Sequence, residues 1–290
     1  VTLIDLILFI LLAAVWGSSF IFMRFLAPVL GPTATACART LIAGLFLTGI
    51  FAALRLKMDW RRNFRHYLVV GILNSGLPFA LYSFAALRLP ASIPAIVNAM
   101  TPLWGAVFSA ALLGDPLTRR KLLGLGLGVS GVALIALRGT GLGSIPDPLG
   151  IAACVLATVC YGFSGSYIKR WAKDVPARQM TAASLSLAGL ALLPFAALTL
   201  PAAGSIPASV WLIAAGFALL CSAFAYLVYF RLIAAAGVTV ALSVTLVVPV
   251  FAFLWGFLFL GERIHPAAVA GTALVVLGTA LVIRRGSVGK

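Results

Sequence analysis

Residues 98–115, NAMTPLWGAVFSAALLGD, return as residues 245–262, TLVVPVFAFLWGFLFLGE. In both copies a polar residue (Asn98, Thr245) stands four positions before a proline (Pro102, Pro249). In both, an apolar run then closes on glycine and an acid, Gly114-Asp115 and Gly261-Glu262. The duplication extends outward: Gly44, Tyr82, Gly124, Gly131 and Arg138 recur as Gly189, Tyr229, Gly271, Gly278 and Arg285. The offset is about 145 residues early in each half and about 147 later, a drift that one short insertion explains. The chain therefore reads as two copies of one folding unit, residues 1–145 and 146–290.

With 63% hydrophobic and 9% charged residues, a chain of 290 has too few polar groups to cover a soluble surface. At roughly 20 apolar residues per bilayer crossing, ten spans are expected: 3–23, 33–54, 67–88, 92–113, 121–138, 148–168, 178–200, 209–235, 238–260 and 266–283. The predicted fold class is an all-α polytopic membrane protein of ten transmembrane helices. Five spans per copy is an odd number, so the copies enter the membrane from opposite sides and form two inverted five-helix repeats. The first apolar segment has no basic leader and belongs to the repeat, so a retained span is expected rather than a signal peptide.

The formal charge of +15 would suggest nucleic acid in a soluble chain. Here the basic residues cluster in short connections, where they read as topology signals and contacts to anionic lipid headgroups; no nucleic-acid partner is expected. Sixteen of the 21 Lys and Arg fall in one alternate set of connections, among them Arg55, Lys57, Arg61, Arg62, Arg65, Lys169, Arg170 and Lys173. The positive-inside rule places that set, and both termini, in the cytoplasm.

Chemistry is sparse. No GxxxxGK[ST] loop is present to couple ATP hydrolysis. His66 and His265 lack clustered partners, and Cys37, Cys154, Cys160 and Cys221 lie in apolar segments without metal-ligand spacing. No catalytic residue, metal site or cofactor is expected. Asp5, Asp59, Asp115, Asp147, Asp174 and Glu262 all fall at span ends or in connections, which leaves no mid-membrane carboxylate for a proton relay and favours facilitated diffusion or exchange. Arg39 is the one charge inside a span. It reads either as a partner for an anion or, more commonly for such residues, as an arginine that snorkels to the interface or bonds carbonyl groups.

Three paired stripes are candidates for a pathway. Pro102 and Pro249 each remove the backbone bond to the carbonyl four residues earlier, at Asn98 and Thr245, so those faces should be buried in protein or line a wet cavity. Ser75, Phe79 and Tyr82 in span three match Ser222, Tyr226 and Tyr229 in span eight, and spacings of four and three put each set on one helical face. Trp16, Ser19 and Met23 in span one match Tyr161, Ser164 and Ile168 in span six. Aromatic and small residues at helical spacing commonly serve packing alone. Their symmetric pairing, with isolated hydroxyls among apolar rings, is also the lining of a small-molecule site. Spans five and ten carry Gly124, Gly126, Gly128, Gly131, Gly271 and Gly278 and read as packing helices, within a monomer or at the seam of a weak homodimer.

The segments Trp16-Gly17-Ser18-Ser19-Phe20 and Asn98 to Pro102, with the endings Leu112 to Asp115 and Phe259 to Arg263, resemble the drug/metabolite transporter superfamily, in particular its ten-span group with two EamA-type repeats. The resemblance covers the whole chain. It implies alternating access around a central cavity walled by spans one, three, four, six, eight and nine, and it implies export of small metabolites. The proposed faces show no Lys or Arg for a phosphate and no buried acid for a cation, so a net-neutral cargo with apolar bulk is expected. An aromatic ring could stack on Trp16, Tyr82, Tyr161 or Tyr226 while its amine and carboxylate reach Asn98, Thr245 and freed carbonyls. The chain is thereby similar to the aromatic amino-acid exporters of bacterial inner membranes. Export of lipophilic drugs, or a non-transporting membrane scaffold, are the competing expectations.

Overall fold

A computed structural model describes residues 2–138, 146–201, 203–263 and 265–283. The boundary expected at residue 145, and the match between Arg138 and Arg285, fall on or beside positions outside these. Among the described residues, ten helices are long and apolar enough to cross a membrane: Leu3–Leu30, Pro32–Ala53, Trp60–Ala86, Ser92–Leu113, Arg119–Leu137, Pro148–Trp171, Ala177–Thr199, Ala208–Ala236, Ser243–Leu260 and Pro266–Ile283. They are numbered as spans one to ten below.

Two boundaries depart from the sequence expectation. Span one continues through Pro28 to Leu30, because its first turn is fixed by a Thr2/Asp5 capping box and it ends only at Gly31, whose φ of 82° no ordinary residue favours. Span three begins at Trp60, so Arg61, Arg62 and Arg65 lie on an amphipathic first stretch of helix and not in a connection. Its buried face there is Asn63, Tyr67 and Val70. The Tyr67 hydroxyl donates to the Met58 carbonyl at 2.6 Å.

The opening motif has a conformational reason. Gly114 (φ 74°) and Gly261 (φ 64°) adopt the left-handed turn that ends spans four and nine. The next amide then bonds back into the last turn, Asp115 N to Ser109 O at 3.3 Å and Glu262 N to Gly256 O at 3.0 Å. The Gly114 and Gly261 amides bond the same two carbonyls, so each helix closes on a left-handed glycine.

Packing obeys the repeat. Span two lies against span seven and span five against span ten; span one packs on span nine as span four packs on span six. Exchanging the two halves maps this pattern onto itself. An odd number of crossings in each half makes the exchange an inversion across the membrane. The self-paired contacts are made through glycine. A methyl placed on Gly131 would meet the Gly271 carbonyl oxygen at 2.7 Å, and one on Gly189 would meet the Leu41 Cα at 2.6 Å. Gly124, Gly131, Gly271 and Gly278 are thus consumed within one chain, and only the outer faces of spans five and ten remain for a second copy.

Spans three and eight are each interrupted at corresponding points by a π-helical turn, Ile72–Gly76 and Leu219–Phe224. Span four is broken outright between Asn98 and Thr101, whereas span nine runs through Pro249 without a break. The carbonyl that Pro102 frees is not left open. The Thr101 hydroxyl donates to Asn98 O at 2.8 Å.

Candidate functional site

Between the two halves lies a cavity of about 930 Å³, walled by parts of spans one, two, three, four, six, seven, eight and nine and by the ends of spans five (Lys121) and ten (Val282, Ile283). Trp16, Ser19 and Met23 of span one line it, as do Ser75, Phe79 and Tyr82 of span three, Asn98 and Pro102 of span four, Tyr161 of span six, Tyr226 and Tyr229 of span eight and Thr245 of span nine. Three residues expected in the same stripes stand elsewhere. The lining face of span six runs through Gly162, Gly165, Ser166 and Lys169, and at 100° per residue Ser164 falls outside that stripe; it is buried with its hydroxyl unpartnered. Pro249 lies off the wall because span nine is continuous there. Ser222 is buried off the wall, where its hydroxyl accepts from Arg39 Nε.

The aromatic residues are crossed between repeats. Trp16 packs on Tyr229 with ring centroids 5.4 Å apart, and its counterpart Tyr161 packs on Tyr82, the counterpart of Tyr229, at 6.2 Å. Each half thus contributes one ring to each pair. Tyr226 meets Trp16 edge-on at 6.3 Å, and Phe20 meets Tyr82 edge-on at 5.6 Å. Such ring pairs hold their members in fixed orientation and leave apolar faces for a third ring. Among these rings the Tyr82 hydroxyl donates to Asn98 Oδ1 at 3.0 Å, which fixes the amide so that its NH₂ remains for another acceptor. Ser19 is 4% exposed, and among the described residues its hydroxyl makes no well-formed hydrogen bond, with the Cys221 thiol as its polar neighbour.

The expectation that the cavity carries no Lys or Arg is overturned. Arg39 of span two is 5% exposed and stands in the wall. It bonds the Cys221 carbonyl, which places it with the carbonyl-bonded arginines, yet it does so from the cavity. Lys121, Lys169, Lys173 and Asp115 line the same cavity at the ends of spans four to seven. The periodicity of span two gave no warning, since it has no aromatic stripe. Asn74, beside Ser75 on the π-helical turn, also lines the wall; its counterpart in the second repeat is Cys221, so the paired stripes do not mark it.

Among the described residues, the lining of the cavity reaches the ends of the spans on one face. Asp115, Lys121, Lys169, Lys173 and Pro176 place its mouth at the connections after spans four and six. The opposite ends of the spans are tied together. Glu262, after span nine, accepts from Ala91 N at 2.6 Å, from Ser92 Oγ at 3.1 Å and from Ser92 N at 3.4 Å at the start of span four. Arg88 pairs with Asp147, and Arg24 donates to the Ala86 carbonyl. The Arg88 guanidinium and the Leu149 amide hold the Asp147 carboxyl below its ordinary range.

A model of the EamA-like transporter family matches residues 3–137 and again residues 148–284. The chain belongs to that family. It is 29% identical to Protein PecM of Dickeya dadantii over 93% of this chain and 88% of the relative. It is 25% identical to an S-adenosylmethionine/S-adenosylhomocysteine transporter of Chlamydia trachomatis over 93% of this chain and 86% of the relative. A probable terminal-alkyne amino-acid exporter of Streptantibioticus cattleyicolor is 24% identical over 95% and 92%. A crystal structure at 20% identity superimposes over 96% of this chain and 95% of the other with a TM-score of 0.64, which shows the shared fold. This EamA-like protein is a multi-pass membrane transporter. The family description and the names of the second and third of these relatives describe transport.

Proposed function

We propose that this transporter exports aromatic and other large neutral amino acids across the bacterial inner membrane by alternating access, without ATP, as a facilitator or exchanger. The observation that carries the reading is the cavity of crossed aromatic pairs, sealed at one end and open at the other. Its volume suits one amino-acid-sized molecule with water. The ten named wall and stripe residues, Trp16, Ser19, Phe79, Tyr82, Asn98, Tyr161, Ser164, Tyr226, Tyr229 and Thr245, form the proposed substrate site, Ser164 from just behind the wall. Pro102 and Pro249 mark the paired midspan points. Basic connections favour an open face and termini in the cytoplasm, and residues 1–145 and 146–290 are the proposed repeats. An amino-acid exporter and a carrier of an amino acid bearing an adenine ring among the relatives favour cargo that combines an aromatic or apolar body with an amino-acid end.

The test is flux. Purified protein in liposomes should accelerate movement of phenylalanine or tryptophan with no nucleotide present, and flux equal to that of protein-free vesicles would remove the reading. Tyr82→Ala and Asn98→Ala should each lower that flux while the protein still reaches the membrane. Undiminished transport in both would refute the assignment of the site.

A further inference from the structure

Arg39 is built as a receptor. Its Nε donates to Ser222 Oγ at 2.9 Å and its Nη2 to the Cys221 carbonyl at 3.3 Å, both on the π-helical turn of span eight. These two bonds occupy the side edge of the guanidinium. Its faces are covered, with the Phe79 ring centroid 3.7 Å and the Phe217 centroid 4.6 Å from the central carbon. What remains is the end-on edge formed by Nη1 and the second hydrogen of Nη2, for which no acceptor is present among the described residues. This is the edge that takes a carboxylate through two parallel hydrogen bonds.

No carboxylate lies within ion-pair distance of Arg39 among the described residues; the ion pair they contain is Arg88 with Asp147, in the sealed end. A charge withdrawn from water without a partner is strongly unfavourable, and ring contacts and neutral hydrogen bonds offset it only in part. The corresponding position in the second repeat is Ser184, also in the wall, so the positive charge belongs to one side of an otherwise paired cavity. Three lysines against the single Asp115 line the same cavity toward its mouth. The described wall offers nothing comparable for an ammonium group: Asp115 is its one acid, and that lies at the mouth.

Given the reading of this cavity as the cargo site, we propose that the Arg39 guanidinium receives a carboxylate of the cargo. The transported class is then organic acids with an aromatic or apolar body, in which the carboxylate is required and an α-amine is dispensable. A phosphate would call for further cations beside the first, and the interior has one.

Isothermal titration of the purified chain in nanodiscs tests this with 3-phenylpropionate, phenylalanine, phenylalanine methyl ester, 2-phenylethylamine and phenylphosphonate. 3-Phenylpropionate should bind within a few-fold of phenylalanine, and the ester and amine about tenfold or more weaker. Arg39→Gln should weaken the two acids by about 10- to 100-fold, the range of a charge-assisted hydrogen bond in a buried site, without altering the weak binding of the amine. Arg39→Lys should restore part of the loss. Ser222→Ala, which keeps the charge and releases its orientation, should weaken the acids less than Arg39→Gln does and guards against a variant that fails to fold. Equal binding of acid and ester, unchanged acid binding in Arg39→Gln, tighter phenylphosphonate than 3-phenylpropionate, or binding of no acid would each overturn the proposal. The two readings separate cleanly. Acids that bind through Arg39 without phenylalanine flux would remove the amino-acid reading and leave the anchor, whereas full phenylalanine flux in Arg39→Gln would do the reverse.

Discussion

Glu262→Gln should open the sealed end of the cavity. The carboxylate joins the end of span nine to the start of span four through Ala91 N, Ser92 N and Ser92 Oγ at 2.6, 3.4 and 3.1 Å. A glutamine keeps the shape and one acceptor oxygen but loses the charge and turns a donor toward the Ser92 side. Hydrogen bonds to a charged group contribute roughly 1.5–3 kcal/mol each when buried. Glu262 is only half-buried, and screening by water argues for the low end, so the net loss is about 1.5 kcal/mol. That shifts a two-state equilibrium by roughly tenfold toward the form open on this face. A cysteine at position 23, in a chain freed of its four native cysteines, reports the shift through its rate of reaction with an impermeant maleimide added from the sealed side. The rate should rise about tenfold in Glu262→Gln. The repeat supplies a control: Asp115 is the counterpart of Glu262 on the open face, so Asp115→Asn should lower the same rate or leave it unchanged. An unaltered rate in a folded Glu262→Gln protein would refute the role of this contact as a latch.

Two further outcomes follow from the packing and the charges. Gly131→Ala places a methyl 2.7 Å from the Gly271 carbonyl oxygen, so spans five and ten must part. The cost should be about 1–3 kcal/mol, the usual range for overpacking, read as a lower melting midpoint in detergent, while Gly126→Ala, with open space around it, should melt as the parent does. The Asp147 carboxyl, depressed by Arg88, stabilises the fold above its unfolded pKa near 3.8, and that contribution is lost as pH falls through the lower folded value. Melting midpoints of the parent and Arg88→Ala should therefore differ at neutral pH and converge in acid below about pH 3.8; a constant gap would mean the ion pair is not its source.

The sequence makes some of these features visible and hides others for definite reasons. Hydropathy finds the ten spans because lipid demands a continuous apolar helix, and duplication finds the partner of each. The crossed pairs Trp16–Tyr229 and Tyr161–Tyr82 were visible as stripes but not as pairs, since which repeat a ring meets depends on tertiary packing. The π-helical turns at 72–76 and 219–224 leave no trace in hydropathy, and on them Asn74 lines the wall while Ser222 does not. Span three was placed late because Arg61, Arg62 and Arg65 resemble a connection in composition, although Tyr67 and Asn63 hold that stretch as helix. Arg39 stays open in the sequence: a lone arginine in a span is ambiguous until its neighbours are known, and the neighbours, Phe79, Phe217 and Ser222, lie 40 to 183 positions away.

That placement also constrains how the halves can move. Span two, which carries Arg39, meets span seven through backbone: Gly189 sits against Leu41 Cα, Cys37 Sγ donates to Gly189 O at 3.4 Å, and the Thr48 and Ser186 hydroxyls lie 3.1 Å apart. A contact made of glycine and main chain has little room to slide, because any rotation drives a side chain into a backbone. Spans one with nine and four with six also meet through glycine, Gly17 against Phe251 and the Ala252 amide and Gly162 against Trp104 and the Gly105 amide, so each pair moves as a unit, and these pairs carry the latch at Glu262 and the broken segment at 99–100. The parts able to rock against one another are therefore these helix pairs, which bear Trp16 and Tyr161, while the guanidinium belongs to the pair of spans two and seven. A carboxylate held by Arg39 would stay near one depth while the rings around it exchange the face they open to, which is the arrangement alternating access requires of a cargo site.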